Sequence, residues 1–97
     1  MKEYSFHPLA LAELEEAALY YNQKVPALGL DLYDEVTDAL GQIRRLPESC
    51  PKIGARTRRK VVRRFPYNLI YWVDSEILFV IAVAHQKRHP GYWADRL

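Results

Sequence analysis

The chain has 97 residues, 49% of them hydrophobic and 27% charged, with a formal net charge of +2. That length fits a single domain, residues 1–97, with a small core and no room for a separate cofactor domain. No run approaches the ~18 apolar residues of a membrane span, Glu3, Glu13, Glu15 and Glu16 interrupt any secretory leader, and the lone Cys50 cannot close an internal disulfide, so no membrane partner and a cytoplasmic location are expected.

Lys2 to Phe6 is short, with Tyr4 and Phe6 on one side, and reads as a strand. Pro8 suits the first turn of a helix, where a missing N–H costs nothing. From Leu9 to about Lys24, Leu11, Leu14, Ala18 and Tyr21 recur at helical spacing, and Glu13, Glu15 and Glu16 lie near the helix start, where the dipole favours negative charge. Val25-Pro26 breaks this helix. A second is expected over about Ala27–Leu46, with a stripe of Leu28, Leu32, Val36, Ala39, Ile43 and Leu46. Arg44 and Arg45 favour its last turn, and Pro47 stops it.

Glu48 to Arg58, containing Pro51 and Gly54, reads as a loop. Lys60–Phe65 and Tyr67–Val73 are expected strands joined at Pro66, the second rich in aromatic and β-branched residues. After Asp74-Ser75-Glu76, Ile77–Ala84 is uniformly apolar and reads as the central, doubly covered strand. Pro90 ends regular structure, with a last helical turn expected within Tyr92–Leu97. The predicted fold class is α+β in the order β-α-α-β-β-β, an antiparallel sheet with a two-helix hairpin on one face and the basic side chains on the other.

Charge is unevenly spread. Residues 1–48 hold four Lys/Arg against nine Asp/Glu, and residues 49–97 hold ten against three. Arg56, Arg58, Arg59, Lys60, Arg63 and Arg64 crowd nine positions, which points to a polyanion or an acidic partner. The segment from His85 through Lys87, Arg88, Tyr92 and Trp93 adds imidazole, cations and aromatics, types that stack on unpaired bases, neutralise phosphates or anchor protein interfaces. Trp93 also reads as a pin holding the tail to the core. No metal site is expected, since Pro90 opposes the helix that would align His85 with His89. No cofactor is expected either: there is no glycine-rich phosphate loop and no nucleophile triad signature. Cys50 has no assigned role.

Three stretches carry a resemblance: Pro8-Leu9-Ala10 with the acidic Glu13-Leu14-Glu15-Glu16; Arg64-Phe65-Pro66-Tyr67-Asn68-Leu69-Ile70-Tyr71; and Val80-Ile81-Ala82-Val83-Ala84-His85-Gln86-Lys87-Arg88. Over almost its whole length the chain resembles the RelE/ParE superfamily, the toxins of bacterial type II toxin–antitoxin modules, and it is more similar to ParE-like than to RelE-like members. The resemblance implies a growth inhibitor of the kind linked to plasmid stabilisation, neutralised by a cognate antitoxin whose C-terminal segment wraps the toxin. A homodimer or a toxin–antitoxin hetero-oligomer is compatible with it.

ParE-like toxins poison DNA gyrase and are not nucleases. RelE-like toxins cleave mRNA in the ribosomal A site, which needs groups to activate the 2′-hydroxyl, to stabilise the phosphorane and to protonate the leaving oxygen. Under that alternative the catalytic set is Lys60, Arg63, Arg64, Arg88 and Tyr92. Three positions depart from the RelE pattern: Val62 for a second lysine, Asn68 for the arginine after the strand tyrosine, and Gln86 for the tail arginine. The ParE-like reading expects target contacts from Arg58, Arg59, Lys60, Arg63, Arg64, His85, Lys87, Arg88, Tyr92 and Trp93. A third alternative is an inactive relative that retains antitoxin binding.

Overall fold

The computed structural model describes residues 2–97. Strand β1 (Glu3–Phe6) leads into α1 (Pro8–Lys24) and α2 (Leu28–Arg45), followed by β2 (Arg58–Val61), β3 (Tyr67–Val73) and β4 (Ile77–His85). A 3-10 turn (Ala94–Arg96) closes the chain. The sheet order is β1-β4-β3-β2, so β1 is an edge strand and β4 lies inside, as its apolar run predicts. The β-α-α-β-β-β order is as expected.

The sheet is mixed rather than wholly antiparallel, because β1 pairs with β4 in parallel, from Glu3↔Ile77 to Phe6↔Val80. The cause is the path of the helices. Arg44 Nε near the end of α2 donates to the Lys2 carbonyl at 2.9 Å, so α2 finishes where β1 starts. From there β2 runs the same way as β1, and a three-stranded meander must return β4 parallel to it. Strand direction leaves no trace in a side-chain pattern of period two.

The second strand is also displaced. Instead of Lys60–Phe65 it occupies Arg58–Val61, pairing with β3 from Arg58↔Tyr71 to Val61↔Asn68. Beyond it Arg64 takes a left-handed backbone, φ 70°, and the chain turns early. Val62 and Phe65 still reach the core, from the turn rather than from a strand.

The helices cover one face of the sheet. Leu69 and Tyr71 of β3 and Leu78, Val80 and Val83 of β4 meet Leu14, Leu32, Val36 and Ile43 in one cluster. The stripe on α1 is rotated from expectation: Ala10, Leu14, Ala17 and Ala18 are buried, whereas Leu11 is exposed. On α2, Leu46 lies past the helix end and is exposed. No acid sits in the first turn of α1; Glu13 lies further along and has another task, described below. The His7 imidazole caps that turn instead, Nδ1 accepting from Leu9 N at 3.0 Å.

The two helices approach very closely at Gly29. A Cβ there would lie 2.5 Å from the Ala18 carbonyl oxygen and 2.8 Å from Asn22 Oδ1. Ala27, at the start of α2, offers no side-chain cap, and Asn22 supplies one by accepting from Gly29 N at 2.7 Å. Asn22 can rotate away from a methyl group but the Ala18 backbone cannot. Gly29→Ala is therefore expected to cost about 1–2 kcal/mol in urea unfolding. An unchanged midpoint would show that the helices can separate freely.

Candidate target-binding cleft

The basic segment does not form one surface. Side chains alternate across a strand, and cross-strand partners share a face. Arg58 and Lys60 pair with Tyr71 and Leu69, whose side chains face the helices, while Arg59 and Val61 pair with Ile70 and Asn68 on the opposite, outer face. Lys60 and Arg63 border Glu35, Asp38 and Gln42 of α2. Arg64 Nη2 lies 3.4 Å from Asp31 Oδ2 and its Nη1 3.7 Å from Glu35 Oε2. Arg58 Nη1 donates to the Cys50 carbonyl at 2.6 Å and the Glu48 carbonyl at 3.1 Å. The expectation that the basic side chains share the face opposite the helices is corrected accordingly: within the strand, only Arg59 reaches it.

The outer face has its own cover. After β4 the chain turns back, Gly91 adopting φ 79°, and lays Tyr92 and Trp93 over Ile70, Ala82 and Ala84. Trp93 does pin the tail. Between the tail and β2 lies a cleft of about 400 Å³. Its cationic and imidazole lining comes from Arg59, His85, Arg88 and His89, and no described Asp or Glu lines it. Asn68 and Gln86 sit in the cleft and touch each other, Gln86 Nε2 donating to Asn68 Oδ1 at 3.3 Å. Lys87 is exposed.

The tail is locked by Glu13, a residue with no local sequence signal for this role. Strand β1 ends at Phe6, so beyond Val80 the edge of β4 has no strand neighbour. A register shift opposite Ile70 and Tyr71 marks the same region of β4. Glu13 Oε1 accepts from Val83 N at 3.1 Å, while Arg96 Nη1 donates to the Ile81 carbonyl at 3.1 Å. Glu13 and Arg96 form a two-pronged pair, with Nη1–Oε1 and Nη2–Oε2 both at 2.9 Å. The Tyr92 hydroxyl donates to Glu13 Oε2 at 2.7 Å, and the Arg88 guanidinium stacks 3.9 Å from the Tyr92 ring centroid. The edge is thus closed by side chains rather than by another strand.

These contacts set the protonation states. Burial pushes the Glu13 carboxyl up, but hydrogen bonds from Arg96, Tyr92 and the Val83 amide outweigh it and hold the group below its ordinary range. Burial, then the bond to Glu13, pushes the Tyr92 hydroxyl well above the ordinary tyrosine value, so it remains a committed donor. His85 lies across from Tyr67, ring centroids 5.1 Å apart. Its Nδ1 accepts from Lys87 N at 3.1 Å.

The five residues of the RelE-type set are consequently not assembled. Lys60, Arg63 and Arg64 stand on the helix side beside carboxylates, and Arg88 and Tyr92 stand at the tail, tied to Glu13. Of the ten expected target contacts, Arg59, His85, Arg88, Tyr92 and Trp93 line the cleft. Arg58 holds the preceding loop instead.

Comparisons with known proteins bear on the family and the fold. A family model described as "ParE toxin of type II toxin-antitoxin system, parDE" matches residues 4–90. No curated protein matches the chain. Among solved structures, a chain of the "Chromosomal ParDE TA system from P. aeruginosa" superposes with a TM-score of 0.68 at 15% identity, covering 88% of this chain and 96% of that one. That likeness carries the fold, and the family match carries membership: the chain belongs to the ParE toxin family of type II toxin–antitoxin systems.

Proposed function

We propose that this ParE-family chain inhibits growth by binding and poisoning DNA gyrase, not by cutting RNA. The observation that supports this most is the separation of Lys60, Arg63 and Arg64 from Arg88 and Tyr92. Catalysis of phosphodiester cleavage needs its acid, base and phosphate-stabilising groups around one reacting centre, and a misplacement of even ~1 Å costs about 10²-fold in rate. Here Lys60, Arg63 and Arg64 sit beside the acids of α2, whereas Arg88 and Tyr92 are tied to Glu13 of α1. The cleft itself offers neutral amides, Asn68 and Gln86, at the positions where RelE-like toxins carry arginines.

The family implies an antitoxin partner. Exposed apolar side chains on the helical hairpin support a partner that covers it: Leu11, Leu19 and Tyr20 on α1 and Leu30 on α2. A disordered segment folding as a helix across that surface would bury them. The cleft and tail lie on the far side of the sheet and serve as the target surface in this reading.

The test is direct. Purified toxin should inhibit supercoiling by gyrase and accumulate cleaved DNA complexes, and added antitoxin should reverse both effects. Primer extension on translated mRNA should show no codon-specific cuts. Gyrase untouched at large toxin excess, or codon-specific cuts, would overturn the proposal.

A further inference from the structure

The outer cleft has a lining that gyrase binding does not by itself require. Its apolar lining comes from Ile53, Pro90 and Trp93, with Ile70 and Ala84 almost fully covered beneath. Its rim carries Arg59, Arg88 and His89. Arg59 is exposed and makes no ion pair among the described residues. Between this lining and the rim lies the amide pair. Since Gln86 Nε2 donates to Asn68 Oδ1, the Asn68 Nδ2 donors and the Gln86 Oε1 acceptor have no side-chain partner among the described residues. The pair thus offers a neighbouring donor and acceptor.

We propose that this cleft binds a single unpaired nucleotide, its base against the apolar lining at Trp93 and the amide pair, its phosphate between Arg59 and Arg88.

The chemistry selects this class over its neighbours. A simple anion would gain nothing from the apolar lining or from a donor–acceptor pair. A purely apolar ligand would leave the amides and the Arg59 guanidinium without partners. A nucleobase uses the apolar lining by stacking and the amides through its edge, and its phosphate uses Arg59 together with Arg88, whose guanidinium is exposed although it also reaches Glu13. A cleft of about 400 Å³ lies within the range of small-molecule sites. Two other depressions contrast with it: the one at α2 sets Glu35 and Asp38 against Lys60 and Arg63, and the one beside His85 sets Glu13 and Glu16 against Arg88. Carboxylates offset the cations in both, whereas no described Asp or Glu lines the outer cleft. The inference goes beyond gyrase poisoning and does not depend on it, because nucleotide binding is read on the isolated protein.

Two sources share this chemistry, a free mononucleotide and an unpaired residue of a strand. The experiment uses the full chain carrying Trp72→Phe, so that Trp93 alone reports. Fluorescence is followed during titration with AMP, GMP, CMP and UMP, with a single-stranded oligonucleotide, and with ribose 5-phosphate and inorganic phosphate. Saturable quenching by a mononucleotide is expected, with ribose 5-phosphate about tenfold weaker or more, since it lacks the stacking base. Arg59→Glu and Asn68→Leu should each weaken binding about tenfold, with unchanged circular dichroism. Saturation by the oligonucleotide and by no mononucleotide would assign the site to a strand. No saturation by any nucleotide or oligonucleotide at 10 mM nucleotide, on the order of the weakest specific affinities, overturns the proposal. So does affinity equal to that for inorganic phosphate and indifferent to Asn68→Leu. Should the cleft fail this test, a gyrase effect of the full chain would still leave the target reading standing.

Discussion

Glu13→Ala is expected to destabilise the protein by about 3 kcal/mol, the low end of the cost of stranding one member of a buried ion pair, since the pair is part-buried. Side-chain exposure is 13% for Glu13 and 9% for Arg96, so water cannot readily replace the lost carboxylate. The substitution removes the acceptor for Arg96, Tyr92 and the Val83 amide together. Against the 5–15 kcal/mol typical of whole domains this is a large fraction, and it corresponds to a fall in Tm on the order of 15 °C. Differential scanning calorimetry checks it. A loss under about 1 kcal/mol would mean that the tail is held by Trp93 and Tyr92 packing alone. The pH dependence gives a second signature. Since the folded carboxyl is held below its unfolded value of about 4.3, its contribution is full above that value and is lost as pH falls through the folded pKa. Glu13→Ala should therefore flatten the acid limb of the stability curve. Nicking or loosening of the tail at neutral pH should accompany it, as the β4 edge opens.

The main elements could be read from the chain because each has its own periodicity or composition. Leu28, Leu32, Val36, Ala39 and Ile43 recur at helical spacing along α2, and Ile77–Ala84 is too apolar to lie anywhere but inside. Three features could not be read this way. The parallel pairing of β1 depends on where α2 ends, a three-dimensional fact. The early end of β2 depends on a left-handed residue, Arg64, whose identity gives no warning of positive φ. The lock on the tail joins positions 83 residues apart, and neither Glu13 nor Arg96 stands out among its neighbours. Glu13 was even legible as something else, a carboxylate near a helix start. The most instructive departure is the cationic run itself. Crowding in a strand sequence is not crowding in space, because period-two alternation sends Arg58 and Lys60 to one face and Arg59 to the other. The acids of α2 then take up the charge on the helix side.

That alternation supplies a sharp comparison between adjacent residues. Arg58→Ala is expected to cost about 2–3 kcal/mol of stability, because the guanidinium bonds to the Cys50 and Glu48 carbonyls hold the loop that enters β2, and charge-assisted bonds are worth more than neutral ones. The same loop is held a second time, by the Tyr71 hydroxyl donating to the Pro47 carbonyl at 2.8 Å, so the domain should loosen there rather than unfold. Arg59→Ala should change stability by no more than about 0.5 kcal/mol, as for an exposed side chain without partners. On function the order should reverse. At a temperature where both variants are folded, Arg59→Ala should lose most of its growth inhibition and its nucleotide-dependent quenching, whereas Arg58→Ala should retain both. Urea melts and a growth assay at matched soluble expression measure the two axes. If Arg58→Ala were as stable as the parent and as inactive as Arg59→Ala, both arginines would belong to the target surface, and the division of the basic strand between a structural face and a binding face would be wrong.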